Sequence, residues 1–336
     1  MRKGNWSNVL RLLLFLGISV FFIYWFLIKL EPEQKSAIWQ SFIQADYFWV
    51  LIVMACCMLS HLVRALRWRL LLKPLGYSPS INNTFGAVVL AYMANLAFPR
   101  LGEFLRCAVL KPSDDIPVQK SVGTVVTERL VDVVLFAIVV LLGLLLMFDD
   151  IKDWLYDGLV MKFESVPSMG ILLIVLVAIV LVFFLVYRVF RKSLYRLHFV
   201  KKTFEFIKGC IDGLMSIFHL GCRNTVLFIS YSLLIYLLYM LGGLIIFQAF
   251  PETTGLGLKA AFALYLFGSI GMTFSQGGLG VYPKLVQMAL ALYAVSLEVG
   301  TAVGWLLWGS QQVIVIVVGL VYAVYFSLLN KKNKLK

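Results

Sequence analysis

The chain has 336 residues, is 61% hydrophobic, and carries 30 Lys and Arg against 17 Asp and Glu, a formal net charge of +13. A soluble domain is usually about 45–50% apolar, so a soluble globular fold is excluded. The basic residues sit at the ends of apolar runs rather than in a separate basic region, which argues against nucleic-acid binding and for a membrane protein oriented by its loops.

The first apolar run, Val9 to Leu30, follows Arg2 and Lys3. It is long for a signal peptide and lacks a small-residue cleavage site, so it is expected to remain as a membrane helix. Further runs at about 47–66, 121–147, 169–187, 225–249 and 299–328 each approach the length that crosses a ~30 Å hydrocarbon core. Two other segments are interrupted: 84–112, broken at Pro99 and Gly102, and 257–294, broken around Ser275 to Pro283. His61, Arg64, Arg67 and Arg69 end the second run and are expected to snorkel to the interface. Residues 193–220 alternate apolar and basic positions at helical spacing. They read either as an amphipathic helix at the cytoplasmic interface or as a solvated linker helix. Gly309, Ser310, Gln311 and Gln312 make a polar patch in the last run, expected to hydrogen-bond between helices. The five cysteines show neither a disulfide framework nor zinc spacing, and no metal or cofactor is expected.

Loop charge orients these elements. With the N-terminus inside and both broken segments entering and leaving on one side, the inside regions are 1–11, 64–82, 99–120, 188–224 and the C-terminal tail; they hold 23 of the 30 Lys and Arg. Letting the first broken segment cross would put the basic 188–224 loop outside and the acidic 148–168 loop inside, against the positive-inside rule. The expected fold is therefore an all-α polytopic membrane protein, a single integral domain over 1–336 with cytoplasmic N- and C-termini. It has six spanning helices plus two re-entrant helical hairpins, in two inverted-topology halves of about 1–147 and 169–330. Interrupted segments at matching places of inverted halves point to a transport site.

The breaks carry the candidate site. Arg100, Glu103 and Arg106 are spaced by three, so a helix starting near Leu101 puts them roughly on one face. Two guanidiniums beside a helix N-terminus suit a phosphate-bearing headgroup; solvated loop charges are the alternative. Glu128 and Asp132, four apart, share a helix face next to Arg129, either for function or as a structural ion pair with the first hairpin. In the second break, Thr273, Ser275, Gln276, Gly277, Gly278, Gly280 and Lys284 offer polar groups and glycines that let a lipid approach the backbone.

The segment NLAFPRLGEFLR, followed by TERLVDVV and a later GGLG before a long helix, resembles the flippase-like membrane domain of lysylphosphatidylglycerol synthases of the multiple peptide resistance factor type, and their stand-alone relatives. The matching positions are Asn95, Pro99, Arg100, Gly102, Glu103 and Arg106, then Glu128, Arg129 and Asp132. The resemblance implies movement of a lipid between leaflets. Full-length synthases add a soluble aminoacyl-transfer domain. This chain stops six residues after Asn330, so neither that domain nor lysyl transfer is expected of it. Where the family's second glycine motif often carries a glutamate shortly after it, this chain has Tyr282, Pro283 and Lys284, which points to a different headgroup.

The expected function is thus a lipid translocase of a bacterial cytoplasmic membrane, not an enzyme. Its partners would be a membrane lipid and a lipid-modifying enzyme, or a second copy of the chain, and not nucleic acid. A membrane-embedded transferase on phospholipid or polyprenyl phosphate, with Glu103 and Glu128 as acid and base, is the alternative; so is a non-transporting scaffold for envelope enzymes.

Overall fold

The computed structural model describes residues 32–97, 101–146, 215, 219–274 and 276–334. The expected helix at 9–30, the run at 169–187 and nearly all of the 193–220 segment lie outside them. Among the described residues the fold is all-α, without strands. The helices are α1 (Pro32–Gln44), α2 (Tyr47–Leu72), α3 (Ile81–Ala97), α4 (Leu101–Asp114), α5 (Val118–Leu146), α6 (Gly221–Phe247), α7 (Leu258–Phe274), α8 (Val281–Ala291) and α9 (Leu297–Lys334). Among the described residues three stretches are long and apolar enough to cross a membrane: Tyr47–Leu75, Gly221–Phe247 and Leu297–Leu329.

Asp46 starts α2. Its backbone is extended and its Oδ1 accepts the Phe48 N–H at 2.9 Å, satisfying one of the donors a helix start leaves open. The helix then runs past the expected end near residue 66, through Arg64, Arg67 and Arg69, to Leu72. It stops in a short turn containing Pro74 and at Gly76, whose φ of 86° is left-handed.

Both broken segments fold as helix, break, helix, with the two helices packed antiparallel. In the first, α3 and α4 are tied at their base: Asp114 accepts from the Ser80 N–H at 3.3 Å and from Asn83 Nδ2 at 3.0 Å. Near the break, Asn95 Oδ1 accepts the Gly102 N–H at 2.8 Å and so caps the start of α4. At Gly102 the helices nearly touch, and an added Cβ would lie 1.9 Å from the Ala91 carbonyl oxygen. In the second, α7 and α8 are joined by a turn in which Gly277, Gly278 and Gly280 all have positive φ. A Cβ on Gly271 would lie 2.8 Å from the Tyr282 Cα, an approach only glycine permits there.

The two tips meet. A Cβ on Gly277 would lie 3.1 Å from Leu96 Cδ2 at the end of α3, and α9 pins the same turn through Trp308 Nε1, which donates to the Gly277 carbonyl at 2.6 Å. The main apolar core joins α2, α6, α7, α8 and α9 through residues such as Val53, Phe247, Leu264, Val286 and Val303. A second core under the first hairpin gathers Trp68, Val88, Cys107, Leu110 and Val125.

Gly102→Ala is expected to destabilise by about 2–3 kcal/mol, because the obstacle is backbone and the helices must separate. Gly242→Ala, in a helix where an added Cβ meets nothing within 4 Å, should be neutral or mildly stabilising. Unfolding temperatures in detergent compare the two; equal shifts would show that the hairpin is not tightly closed at Gly102.

Candidate functional site

Helical geometry brings His61, Arg64 and Arg67 of α2 roughly onto one face, because they are spaced by three. On α5, Glu128 and Asp132 are four apart and project together. The two faces oppose each other, and α4 adds Arg106. Arg67 is the centre: Nη2 donates to Glu128 Oε1 at 2.9 Å, Nη1 to Asp132 Oδ1 at 2.6 Å and to Ser232 Oγ at 3.0 Å, and Nε again to Glu128 Oε1 at 3.2 Å. Arg106 donates to Glu128 Oε2 and lies over the Trp68 ring, 4.2 Å from its centroid. Arg64 reaches Asp132 Oδ2 at 3.2 Å and the Tyr239 hydroxyl at 2.9 Å. Arg129 joins Glu103 at 3.0 Å and Asp132 at 3.6 Å.

Burial grades this network. Arg67 and Glu128 have no exposed side-chain surface and Arg106 has 2%, whereas Asp132 has 17%, Glu103 34% and Arg129 39%. The snorkelling expected of His61, Arg64 and Arg67 is overturned: all three are buried in protein. The reason is the pair of facing carboxylates on α5, which makes an inward guanidinium cheaper than it would be alone. Arg69 instead donates from Nε to the Pro79 carbonyl at 2.8 Å.

Four arginines meet three carboxylates, so the network carries one surplus positive charge. It opens onto a cavity of about 440 Å³, within the range of small-molecule and headgroup sites. One side of its wall is polar, with His61, Arg64, Tyr92, Arg129 and Asp132. Another is aromatic, with Phe136, Tyr236, Tyr239 and Tyr265, and the rest mixes aliphatic residues such as Val53, Leu264 and Leu307 with the polar Ser269, Thr273, Gln311 and Gln312. Rim residues Val133 and Met272, on α5 and α7, are exposed.

The expected site residues divide accordingly. Glu103, Arg106, Glu128, Arg129 and Asp132 come together in the network; Arg129 and Asp132 line the cavity, and Arg106 and Glu128 stand behind its wall. Asn95 spends its side chain on the α4 cap. Gly277, Gly278 and Gly280 form the tip turn that begins at Gln276. Lys284 is not on the cavity wall; its Nζ donates to Gln287 at 2.7 Å. Arg100 and Ser275 lie outside the described residues. Gln311 and Gln312, expected between helices, line the cavity. Missed altogether were Arg64 and Arg67. Their signal was a histidine–arginine–arginine face at spacing three, matched by a carboxylate pair at spacing four on another apolar helix. Among the described residues no group of three or more His, Cys, Asp or Glu is arranged to hold a metal ion.

Glu128→Gln removes the carboxylate charge shared by buried Arg67 and Arg106, leaving Arg106 without its ion pair, so it is expected to cost about 3–5 kcal/mol. Glu103→Gln, at a partly exposed pair, should cost under about 1 kcal/mol. Thermal unfolding in detergent separates the two, and comparable losses would remove Glu128 from its central place.

A family model described as the lysylphosphatidylglycerol synthase TM region matches residues 9–325. A UPF0104 membrane protein of Methanocaldococcus jannaschii is 30% identical over 91 residues, 26% of this chain and 27% of that protein, so the match spans only about a quarter of that relative. No solved structure matches the chain. With its apolar helices and a match over nearly its whole length, this chain is a multi-pass membrane protein and belongs to the lysylphosphatidylglycerol synthase TM-region family.

Proposed function

We propose that this protein is a lipid translocase that moves a charged, phosphate-bearing lipid between the leaflets of the bacterial cytoplasmic membrane. One observation carries the reading: a buried ion network with a surplus positive charge opens onto a cavity whose remaining wall is aromatic and aliphatic apart from Ser269, Thr273, Gln311 and Gln312. A lipid has that same division. Its headgroup would meet Arg129 and the polar wall, while its tails would leave past the exposed rim between α5 and α7. Burying a net charge in apolar surroundings is costly without a counter-ion, so such a pocket favours an anionic occupant.

The two helical hairpins support the mode of movement. In this reading they are re-entrant from opposite faces, within inverted halves that rock against each other. Their touching tips, Leu96 against Gly277, would be the contact that breaks as one half moves. The reading is transport rather than group transfer, and no donor site is invoked.

Purified protein in liposomes containing fluorescent phosphatidylglycerol is the test, with leaflet exchange followed by quenching from outside. The wild type should raise exchange above empty vesicles without changing the lipid's mass; no acceleration, or a new lipid species, would refute translocation. Arg129→Gln should slow it about tenfold, the loss of one charged headgroup contact. Leu96→Cys with Gly277→Cys, oxidised, should arrest exchange, and reduction should restore it; full activity in the cross-linked form would exclude the tips as the moving contact.

A further inference from the structure

Among the described residues, the cavity wall built by α7, α8 and α9 carries no charge. On α9, Leu307, Gln311 and Val315 are spaced by four and so form one stripe, which lines the cavity with Gln312 beside it. Leu307 and Val315 are 2% and 4% exposed, whereas both glutamines keep partial access. Among the described residues neither side-chain amide has a hydrogen-bond partner. An amide within a membrane helix is costly unless its hydrogen bonds are made, so two on a cavity wall call for an occupant that makes them. Their support is firm, because α9 is held on both sides of the stripe. A Cβ on Gly304 would lie 2.7 Å from Pro283 Cα of α8, and one on Gly319 2.7 Å from Met93 Sδ of α3. α7 adds Thr273, whose Oγ1 donates to the Ser269 carbonyl at 2.8 Å and keeps its acceptor capacity. α8 adds Tyr282, while Lys284 of the same helix donates to Gln287 instead.

Taking the lipid from the translocase reading, we infer that Gln311 and Gln312, with Thr273, form a neutral subsite that selects an uncharged, hydroxylated part of the headgroup and excludes an ammonium. A side-chain amide offers two donors and an acceptor oxygen with two lone pairs, which matches hydroxyls that both give and accept. An ammonium has donors only and needs a counter-charge when it leaves water. The amides bring no charge. Among the described residues Asp132 is the one carboxylate on the wall; it lies on α5 and already holds Arg64 and Arg67. The network beside it carries a surplus positive charge, so a second cation in the cavity would be both unpaired and repelled. A headgroup bearing a lysyl group is therefore refused, and one bearing free hydroxyls is preferred.

The experiment measures how phosphatidylglycerol, phosphatidylmethanol and lysylphosphatidylglycerol displace fluorescent phosphatidylglycerol from the full chain in uncharged detergent. The first two share one phosphodiester charge and differ in the headgroup hydroxyls. Phosphatidylglycerol should bind about tenfold tighter than either of the others, the loss expected when a half-buried amide finds no partner. Gln311→Leu should bring phosphatidylglycerol down to the level of phosphatidylmethanol and leave phosphatidylmethanol unchanged. Gln311→Glu supplies a carboxylate and should raise the affinity for lysylphosphatidylglycerol about tenfold. Equal wild-type affinities for phosphatidylglycerol and phosphatidylmethanol, a Gln311→Leu that weakens both alike, or a wild type that binds none of the three overturns the hydroxyl subsite. Lysylphosphatidylglycerol bound as tightly as phosphatidylglycerol, or unimproved in a Gln311→Glu protein that still binds phosphatidylglycerol, overturns the exclusion of an ammonium. Discrimination by a wild type that moves no lipid would uphold the subsite and remove translocation; lipid exchange without that discrimination would do the reverse.

Discussion

A guanidinium with no exposed surface, Arg67, held by a carboxylate equally buried, Glu128, is the constraint on which the arrangement depends. Neither charge is tolerable alone in an apolar interior, and each is acceptable only while the other stays within hydrogen-bond reach. That requirement fixes α2 against α5. Arg106, sharing Glu128, then fixes α4, and Ser232, accepting from Arg67, draws in α6. Four helices are thereby registered by one set of charges rather than by apolar contact, which is non-directional and would allow them to slide.

The hairpins complete the cavity in a different way. They depend on closeness. Gly102 and Gly271 remove side chains where backbone meets backbone, and the glycine turn at the second tip reaches Leu96 at the first. The cavity walls are thus assembled from α2, α3 and α5 to α9, so neither hairpin could host it by itself. The charged lining residues lie on α2 and α5, while α6 and α7 contribute mainly aromatic and aliphatic groups and α9 adds Gln311 and Gln312.

The surplus charge has a further consequence. A network in which every charge is matched would be a structural clamp. Here Arg67 and Arg106 are buried behind the cavity, whereas Arg64 and Arg129 stand on its wall. Two positions are therefore distinguished within one cluster: the inner pairs join helices and the outer guanidiniums line the cavity.

Much was legible in the sequence alone because it rests on local physics. Apolar run length marked α2, α6 and α9 as helices able to cross a membrane and α5 as a long helix, and Pro99, Gly102 and the Gly277–Gly280 cluster marked where two others break. The spacing of Glu128 and Asp132 marked one helix face. Partners were not legible. Arg64 and Arg67, at the end of an apolar run, look like interfacial residues until a carboxylate 61 positions away in the chain is found opposite. Lys284, equally cationic, proves to stand off the cavity. Periodicity determines which residues share a face, because that depends only on the helix repeat. Which face turns inward is decided by the counter-charges and glycine contacts of other helices, and those exist only once the chain has folded.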